Sequence, residues 1–364
     1  MTASLYIRPV GRIAPPAGAG EREQAPAIAA AGRDDLRFAG AEVIERDGAS
    51  VRRRLLSAVE LLDSSAEPRL QALVQRLSQP RVAIAGLALD RPRLMGVINV
   101  TPDSFSDGGR FDTTDAAIEH ALQLEAEGAD ILDIGGESTR PGSDPVDLAE
   151  ECRRVLPVIA ALAKRSRARL SVDTRKAEVM RRAAGEGAHI INDVSALTHD
   201  PRSLSTAAEL GLPVILMHAL GDPRTMQDKP AYDDVVLDVY DMLEARIEAC
   251  ERAGIARARL VVDPGIGFGK TLAHNLALLG SLSVFHGLGC GVMLGASRKS
   301  FIGKLTGAEA GDRLPGSLAA ALLGAAQGVQ ILRVHDVAAT RQALAVWEGA
   351  LLPSPRTSAG RGSG

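Results

Sequence analysis

The sequence predicts an α/β protein, specifically a (β/α)8 TIM barrel with a small N-terminal α/β extension. Short apolar segments of strand length alternate with segments of helical spacing from about residue 87 to residue 351. Eight strand–helix pairs fit into this stretch, and ~260 residues is a usual size for a barrel of eight parallel strands. Polar residues follow the predicted strands, at the end of the barrel where the active sites of this fold lie.

The predicted strands are short and apolar with many β-branched residues, as expected for parallel strands that are buried on both faces. They cover residues 94–100, 131–134, 169–172, 189–191, 213–217, 260–262, 291–294 and 330–334. The predicted helices that follow them cover about residues 114–127, 147–163, 177–186, 204–210, 232–253, 275–282, 316–327 and 337–351. The barrel is therefore assigned to residues 87–351, and a disordered tail to residues 352–364.

Residues 1–86 differ in composition and are predicted to form a partly disordered extension whose function the sequence does not reveal. A strand is predicted at residues 5–10, and clustered prolines and glycines predict a loop or linker over residues 11–35. Apolar residues at helical spacing predict two short amphipathic helices, at residues 51–62 and 67–77. We expect these helices to form a cap packed on the barrel.

The overall composition is that of an ordinary globular protein and favours neither a nucleic acid nor a membrane as partner. The 364 residues carry 42 Lys+Arg and 45 Asp+Glu, a formal net charge of -3. The consecutive Arg52, Arg53 and Arg54 fit a solvated helix face better than an anion site. No apolar run reaches transmembrane length and the N-terminus lacks a signal-peptide pattern, which predicts a cytoplasmic protein. The three cysteines show no CxxC spacing, which argues against a disulfide framework or a cysteine zinc site.

A polar segment directly follows the first predicted barrel strand. Asn99 ends this strand, and residues 101–109 then supply carboxylates, hydroxyls, one aromatic ring and two glycines. A plain surface turn has little need of Phe105 among so many polar groups, and Asp107 adds a carboxylate beside it. Because loops after strand C-termini build the active site in this fold, we predict a catalytic loop here.

Polar residues lie at or just beyond the ends of all eight predicted strands, and the fold predicts that these residues converge on one face of the barrel. They are Asn99, Asp133, Asp173, Asn192, His218, Asp263, Ser297, Arg333 and His335. Any single one can be a satisfied core residue, and Asp133, inside an apolar strand, is the best candidate for that structural role. The set as a whole indicates a ligand-binding site.

Three clusters in this set predict anion binding. Residues 135–142 combine glycines with a hydroxyl and a guanidinium, and residues 297–300 place positive side chains where a helix begins. Arg333 and His335 lie two residues apart at the last strand, so alternation sends both to one side. We expect Arg333 and His335 to bind one anion together. The alternative is that Arg333 pairs with a structural carboxylate.

The glycine-rich segment 263–271 is not a Walker A phosphate loop, because Pro264 stands where that motif needs glycine. A buried Asp263 suits the two N–H donors of an amino-pyrimidinone ring, and Phe268 can flank such a ring. The histidines show no zinc spacing. Mg²⁺ held largely by a diphosphate ligand, with Asn99 as one protein oxygen ligand, is compatible with the sequence.

Seven segments carry a resemblance to the dihydropteroate synthases, and they occur in that family's order. They are residues 95–109 (MGVINVTPDSFSDGG), 128–142 (GADILDIGGESTRPG), 171–174 (SVDT), 190–193 (IIND), 263–271 (DPGIGFGKT), 297–300 (SRKS) and 333–336 (RVHD). The resemblance covers about residues 93–351. It implies condensation of 6-hydroxymethyl-7,8-dihydropterin diphosphate with 4-aminobenzoate to 7,8-dihydropteroate and diphosphate. It also implies that the protein uses Mg²⁺ as a cofactor, forms a homodimer and is a target of sulfonamides.

The resemblance also implies roles for individual residues. Those that bind the pterin would be Asp173, Asn192, Asp263 and Lys299. Those that bind the diphosphate would be Thr139, Arg333 and His335, with Asn99 as a ligand of its Mg²⁺. Those that border the 4-aminobenzoate site would be Arg140, Pro141, Phe268 and Ser300. Phe105 and Asp107 would lie on a mobile loop that closes over the reacting groups.

Two other functions stay open at this point. A pterin-binding methyltransferase barrel is similar in fold and in ring recognition, but it needs no diphosphate clamp. A catalytically silent pterin-binding paralogue would be favoured by substitutions at Asp173, Lys299 or Arg333, and none of these positions is substituted.

Overall fold

The computed structural model describes residues 3–13, 26–100, 110–138, 143–221 and 230–351. Its N-terminal layer is an antiparallel sheet with two helices. The strands are β1 (Ser4–Ile13), β2 (Ile28–Ala29), β3 (Arg37–Asp47) and β4 (Ser50–Ser57). The helices are α1 (Ala58–Leu62) and α2 (Pro68–Ser78). β3 is the central strand and pairs with the other three, and buried residues of α1 and α2 pack against one face of the sheet.

This layer corrects the prediction of one helix over residues 51–62. Most of that segment is β4, which pairs with β3 from Ser50 to Ser57. The helix begins only after Ser57, whose hydroxyl accepts a hydrogen bond from the N–H of Glu60 (3.3 Å). Cross-strand pairing therefore outweighs the helical spacing of the leucines, because eight residues gain sheet partners.

Other predictions for the extension were partly right. The helix predicted at residues 67–77 is α2, with Pro68 in its first turn as expected. The predicted linker over residues 11–35 contains the end of β1 and the short β2, while residues 14–25 lie outside the described residues. The strand β3 was not predicted at all.

Beyond residue 92 the chain forms the predicted closed barrel of eight parallel strands. The strands are β5 (Arg93–Asn99), β6 (Ile131–Gly135), β7 (Arg169–Asp173), β8 (Ile190–Asp193), β9 (Val214–Met217), β10 (Leu260–Asp263), β11 (Gly291–Leu294) and β12 (Ile331–Val334). The pairing of β12 with β5 closes the barrel. The predicted fold class is therefore confirmed.

The eight predicted barrel helices are all present, with ends shifted by a few residues. Together with α9, which begins where residues 297–300 were expected to open a helix, they are α3 (Arg110–Glu127), α4 (Leu148–Arg165), α5 (Ala177–Gly185), α6 (Ser203–Leu210), α7 (Val235–Arg252), α8 (Leu272–Leu279), α9 (Ser300–Thr306), α10 (Leu314–Ala326) and α11 (Val337–Leu351). In the described part of the chain, no helix is both long enough and apolar enough to cross a membrane.

An apolar plug fills the barrel from its N-terminal end. Seven strands contribute to one buried cluster: Met95, Ile131, Ile190, Ile215, Val261, Met293 and Ile331. Ile84 and Leu89, from the segment before β5, belong to the same cluster. Because this end is packed with hydrocarbon, the polar side chains of the strands meet at the opposite, C-terminal end.

The N-terminal sheet lies against the barrel through the face that α1 and α2 leave uncovered. Tyr6 and Ile44 are buried there and join the main hydrophobic core. The ring of Tyr6 meets the ring of Tyr240 on α7 edge to face, with 5.1 Å between centroids. The extension is thus a packed layer of the protein and not a separate appendage.

Candidate active site

Four polar side chains from different strands are joined at the C-terminal end of the barrel. Arg333 donates from Nε to Asp133 (2.7 Å) and from Nη2 to Asp173 (2.8 Å). Asn192 donates to the same oxygen of Asp133 (3.0 Å). Asp133 has no exposed surface, which fits the structural role expected for it. The structure therefore shows the alternative stated for Arg333, in which its guanidinium pairs with carboxylates.

Burial and charge act in opposite directions on this network. Burial, together with the negative charge of Asp133, raises the pKa of Asp173, while Arg333 opposes that shift. Burial alone would lower the pKa of Arg333, but Asp133 and Asp173 more than offset it, so the guanidinium stays charged. Within the described residues, Oδ1 of Asn192 and Oδ1 of Asp133 are buried and have no hydrogen-bond partner. Buried acceptors of this kind suit a ligand that donates hydrogen bonds.

Asp263 and Lys299 form the second half of the mouth. Asp263 is buried, and its Oδ1 accepts a hydrogen bond from the N–H of Gly265 (2.8 Å). Lys299 donates to the carbonyl of Ile266, and its Nζ lies 4.4 Å from the centroid of the Phe268 ring. Burial lowers the pKa of Lys299 to about 8, although Asp263 opposes the shift. The structure thus brings Asp263, Phe268 and Lys299 together, as the sequence predicted.

The glycine loop, residues 264–271, can pass this close to the barrel only because of its glycines. Gly265 has φ +67°, and a Cβ there would lie 1.9 Å from the carbonyl oxygen of His218. Polar side chains then fix the loop backbone. Asn275 accepts from the N–H of Gly267 (2.6 Å), and Tyr232 donates to the carbonyl of Gly269 (2.8 Å).

Lys270 is a site residue that the sequence analysis missed. Its Nζ lies 2.9 Å from Nδ1 of His218 and donates to the carbonyl of Phe268 (2.9 Å). Its side chain is almost completely buried, and burial lowers its pKa to about 7. The only sequence signal was its place at the end of a glycine-rich loop, where a lysine is usually exposed. The role of Tyr232 was missed as well, because the sequence marked it only as the first residue of a predicted helix.

His335 and Ser300 follow the last two strands of the barrel, β12 and β11. His335 is half-buried, and its Nδ1 lies 3.1 Å from the hydroxyl of Ser297. Ser300 is exposed at the first residue of α9. His335 is thus held by a serine while Arg333 is held by two carboxylates, so the two side chains have different partners.

Five predicted site residues lie outside the described residues: Phe105, Asp107, Thr139, Arg140 and Pro141. The chain just before residue 139 is firmly held. Glu137 accepts from Arg175 (2.9 Å) and from Lys176 (2.9 Å), and all three side chains are largely buried. The segment that precedes Thr139 is therefore anchored to the end of β7.

Asn99 is half-buried at the last position of β5, and its backbone faces Gly135 of β6. Within the described residues, no group of three or more His, Cys, Asp or Glu side chains is arranged to hold a metal ion. Asn99 can offer one amide oxygen, which suits Mg²⁺ because this ion keeps most of its ligands from water and substrate phosphates. The donor set fits a diphosphate-bound Mg²⁺.

Comparison with known proteins gives the family. The pattern of the family described as "Pterin binding enzyme" matches residues 95–335. The dihydropteroate synthase of Escherichia coli (strain K12) is 50% identical over 265 residues, which is 73% of this chain and 94% of the relative. The chain belongs to the dihydropteroate synthase family. The resemblance stated from the sequence is thus confirmed, and the family consists of transferases.

Solved dihydropteroate synthases agree with the described barrel. The Xanthomonas albilineans enzyme with 4-aminobenzoic acid has a TM-score of 0.70 and 54% identity, covering 74% of this chain and 98% of that chain. The same enzyme in complex with 7,8-dihydropteroate has a TM-score of 0.68 and 51% identity, covering 74% of this chain and 98% of that chain. The chain is longer than these dihydropteroate synthases, because about a quarter of it has no counterpart in them.

Proposed function

We propose that this chain condenses 6-hydroxymethyl-7,8-dihydropterin diphosphate with 4-aminobenzoate, giving 7,8-dihydropteroate and diphosphate for folate biosynthesis. The observation that carries the proposal is the donor and acceptor set at one barrel mouth, formed by the buried Asp263 and Asn192 and the half-buried Lys299. An amino-pyrimidinone ring offers matching N–H donors and carbonyl acceptors. Relatives that share half of the residues carry the name of this enzyme.

The roles proposed for the residues follow from this arrangement. Asp263, Asn192, Asp173 and Lys299 bind the pterin ring, while Phe268, Ser300, Arg140 and Pro141 border the 4-aminobenzoate. Arg333, His335 and Thr139 hold the diphosphate, and the positive groups absorb negative charge as it leaves. Two bonds of Arg333 already go to carboxylates, but Nη1 takes part in neither.

Loss of diphosphate leaves a cationic methylene on the pterin, which the aniline nitrogen attacks. The carboxyl groups of Asp133, Asp173 and Asp263 lie at this end of the barrel, and those that are ionised favour the cation. The aniline is neutral at working pH, and the proton that it loses after attack needs no strong base. Phe105 and Asp107 are proposed to close over the reacting groups and exclude water.

Asn99 is proposed as the one protein ligand of Mg²⁺. When bound to the diphosphate, Mg²⁺ neutralises charge on the leaving group. We expect Asn99→Ala to raise the Mg²⁺ concentration needed for half-maximal rate about tenfold. Asn99→Asp, which keeps an oxygen ligand, should stay within about threefold of the wild type. Equal Mg²⁺ dependence of the Asn99→Ala variant and the wild type would contradict this ligand assignment.

The direct test of the proposed function is turnover by the purified protein. Diphosphate release and dihydropteroate should both appear when pterin diphosphate, Mg²⁺ and 4-aminobenzoate are present. Tight pterin binding without turnover would instead support the silent paralogue. Methyl transfer from a folate to a corrinoid, without any use of diphosphate, would support the methyltransferase barrel.

Pterin affinity is expected to fall as the pH rises through about 8. Burial lowers the pKa of Lys299 to that value, so this side chain loses its positive charge over this pH range. Asp263 and Arg333 are the charged groups around it, and Lys270 loses its own charge as its pKa of about 7 is passed. The charged ammonium is the stronger hydrogen-bond donor to a ring acceptor. Calorimetry across this pH range measures the effect. The Lys299→Met variant should bind the pterin more weakly, and its affinity should depend less on pH. An identical pH profile in both proteins would refute the role assigned to Lys299.

The assembly and location of the protein are also proposals. The family resemblance supports a homodimer, which sedimentation or light scattering of the full chain would test. The sequence supports a cytoplasmic location, which fractionation of the source cells would test. The small-molecule nature of the partners is supported by solved relatives, which are complexes with 4-aminobenzoic acid and 7,8-dihydropteroate.

A further inference from the structure

The N-terminal extension is bound to one particular face of α7. Asp234, Asp238 and Asp241 lie on this face at helical spacing, and each receives a side chain from the N-terminal sheet. Arg53 donates to Asp234 (2.9 Å) and Arg46 donates to Asp238 (2.6 Å). Tyr6 donates to Asp241 (2.8 Å). The extension therefore contacts α7 from its first turn onward.

Two of these carboxylates also hold the backbone where α7 begins. Asp234 is the N-cap, and its Oδ1 accepts from the N–H groups of Val236 (3.0 Å) and Leu237 (3.2 Å). Asp238 accepts from the N–H groups of Asp233 (2.9 Å) and Asp234 (3.3 Å) through Oδ2. Each carboxylate thus uses one oxygen for the extension and the other for the start of the helix.

Tyr232 immediately precedes this capped segment and reaches the active site. Its hydroxyl donates to the carbonyl of Gly269, and its ring lies 6.0 Å from that of His218 and 4.9 Å from that of His274. Gly269 lies between Phe268 and Lys270. Tyr232 therefore contacts the glycine loop at the residue next to Phe268.

We propose that the N-terminal sheet positions the active site: Arg46 and Arg53 fix the start of α7, and through Tyr232 they fix the glycine loop that borders 4-aminobenzoate. Arg46 and Arg53 are positioning residues, since neither touches the mouth. The part of the proposal that concerns 4-aminobenzoate rests on the proposed function. The mechanical part, from the sheet to the loop, does not.

The first test is the double variant Arg46→Met/Arg53→Met, with Arg76→Met as the matched control. Arg76 also joins the extension to α7, through Glu244 (3.1 Å), but ten residues beyond Asp234, or about 15 Å along the helix. We expect the double variant to raise KM for 4-aminobenzoate about fivefold while KM for the pterin diphosphate stays within about twofold. Arg76→Met should change neither. Unchanged KM in the double variant, or an equal rise in the control, would overturn the proposal.

Hydrogen exchange gives a readout that does not depend on turnover. Peptides covering residues 264–271 should exchange faster in the double variant than in the wild type or in Arg76→Met. If the wild type showed no synthase activity, the proposed function would fail, while faster exchange would still support the mechanical coupling. Unchanged exchange would refute the coupling even in an active enzyme.

Tyr232→Phe tests the last step alone, because it removes one hydroxyl and leaves the arginine pairs intact. It should reproduce the rise in KM for 4-aminobenzoate. If the arginines act through Tyr232, the triple variant should show no further rise. A triple variant whose KM increase is the product of the two separate increases would exclude action through Tyr232.

Discussion

Replacement of Asp263 by asparagine is expected to weaken pterin binding by roughly 10- to 150-fold, the range for loss of a hydrogen bond to a charged group. Oδ1 of Asp263 already accepts from the N–H of Gly265, so both carboxylate oxygens must act as acceptors when the ring binds. An asparagine has one acceptor oxygen and one NH₂ group. In either orientation, an N–H donor of the side chain then faces another donor.

Calorimetry with a pterin ligand measures this loss, and Asp130→Asn is the matched control. Asp130 also accepts from a backbone N–H, that of Leu94 (3.0 Å), but it precedes β6 at the opposite end of the barrel. The control should keep wild-type affinity. A folded Asp263→Asn protein with wild-type affinity would show that Asp263 does not recognise the pterin.

Replacement of Arg333 by alanine is expected to reduce both stability and affinity for the diphosphate substrate. The guanidinium is shared by Asp133 and Asp173, and its loss leaves two buried carboxylates without a cation. Removal of one partner from a buried ion pair costs about 3–5 kcal/mol, which corresponds to a fall in Tm of about 4–7 °C for a chain of this size. A thermal melt checks the first effect and calorimetry with the diphosphate substrate checks the second.

The stability loss should shrink as the pH falls toward 5. Without Arg333, nothing opposes burial and Asp133, so the pKa of Asp173 rises further above its value in the unfolded chain. A carboxyl group with a raised pKa holds its proton in the folded state at a pH where the unfolded state has lost it. The folded variant is therefore favoured as the pH is lowered. A loss that is constant with pH would contradict the shared-cation account.

The double variant Arg333→Ala/Asp133→Asn separates the two roles of Arg333. Neutralising Asp133 should restore part of the stability, because one of the two uncompensated charges is gone. It should not restore affinity for the diphosphate substrate. Wild-type substrate affinity in this double variant would exclude Arg333 from diphosphate binding.

The barrel was predictable from the sequence because its strands are short apolar runs that end in polar residues. The family resemblance assigned Asp263 and Lys299 to the pterin and Phe268 to the edge of the 4-aminobenzoate site, and the structure brings the three side chains together. For Arg333, the sequence allowed two partners, an anion or a structural carboxylate. Strand alternation predicts on which side of the sheet the side chain lies, but not which residue it meets across the barrel. Only the fold brings Asp133 and Asp173, 200 and 160 residues away in sequence, to its guanidinium.

The extension was harder to predict because local spacing and long-range pairing disagree there. Leu55, Leu56, Val59 and Leu62 have helical spacing, yet the first two lie on β4 because β3 provides a partner strand. Lys270 was missed for a related reason. A lysine is buried only when acceptors surround it, and His218 and the carbonyl of Phe268 are acceptors that the fold supplies.

The strand β4 forms an outer edge of the N-terminal sheet, and almost all of its residues are exposed. An exposed edge invites another strand, including the same strand of a second molecule. Antiparallel pairing of two β4 strands about Arg53 would place Arg52 opposite Arg54 of the other copy, bringing like charges together in both directions. The arginine run therefore disfavours this symmetric edge-to-edge pairing, even though Arg52, Arg53 and Arg54 each have a carboxylate partner within their own molecule.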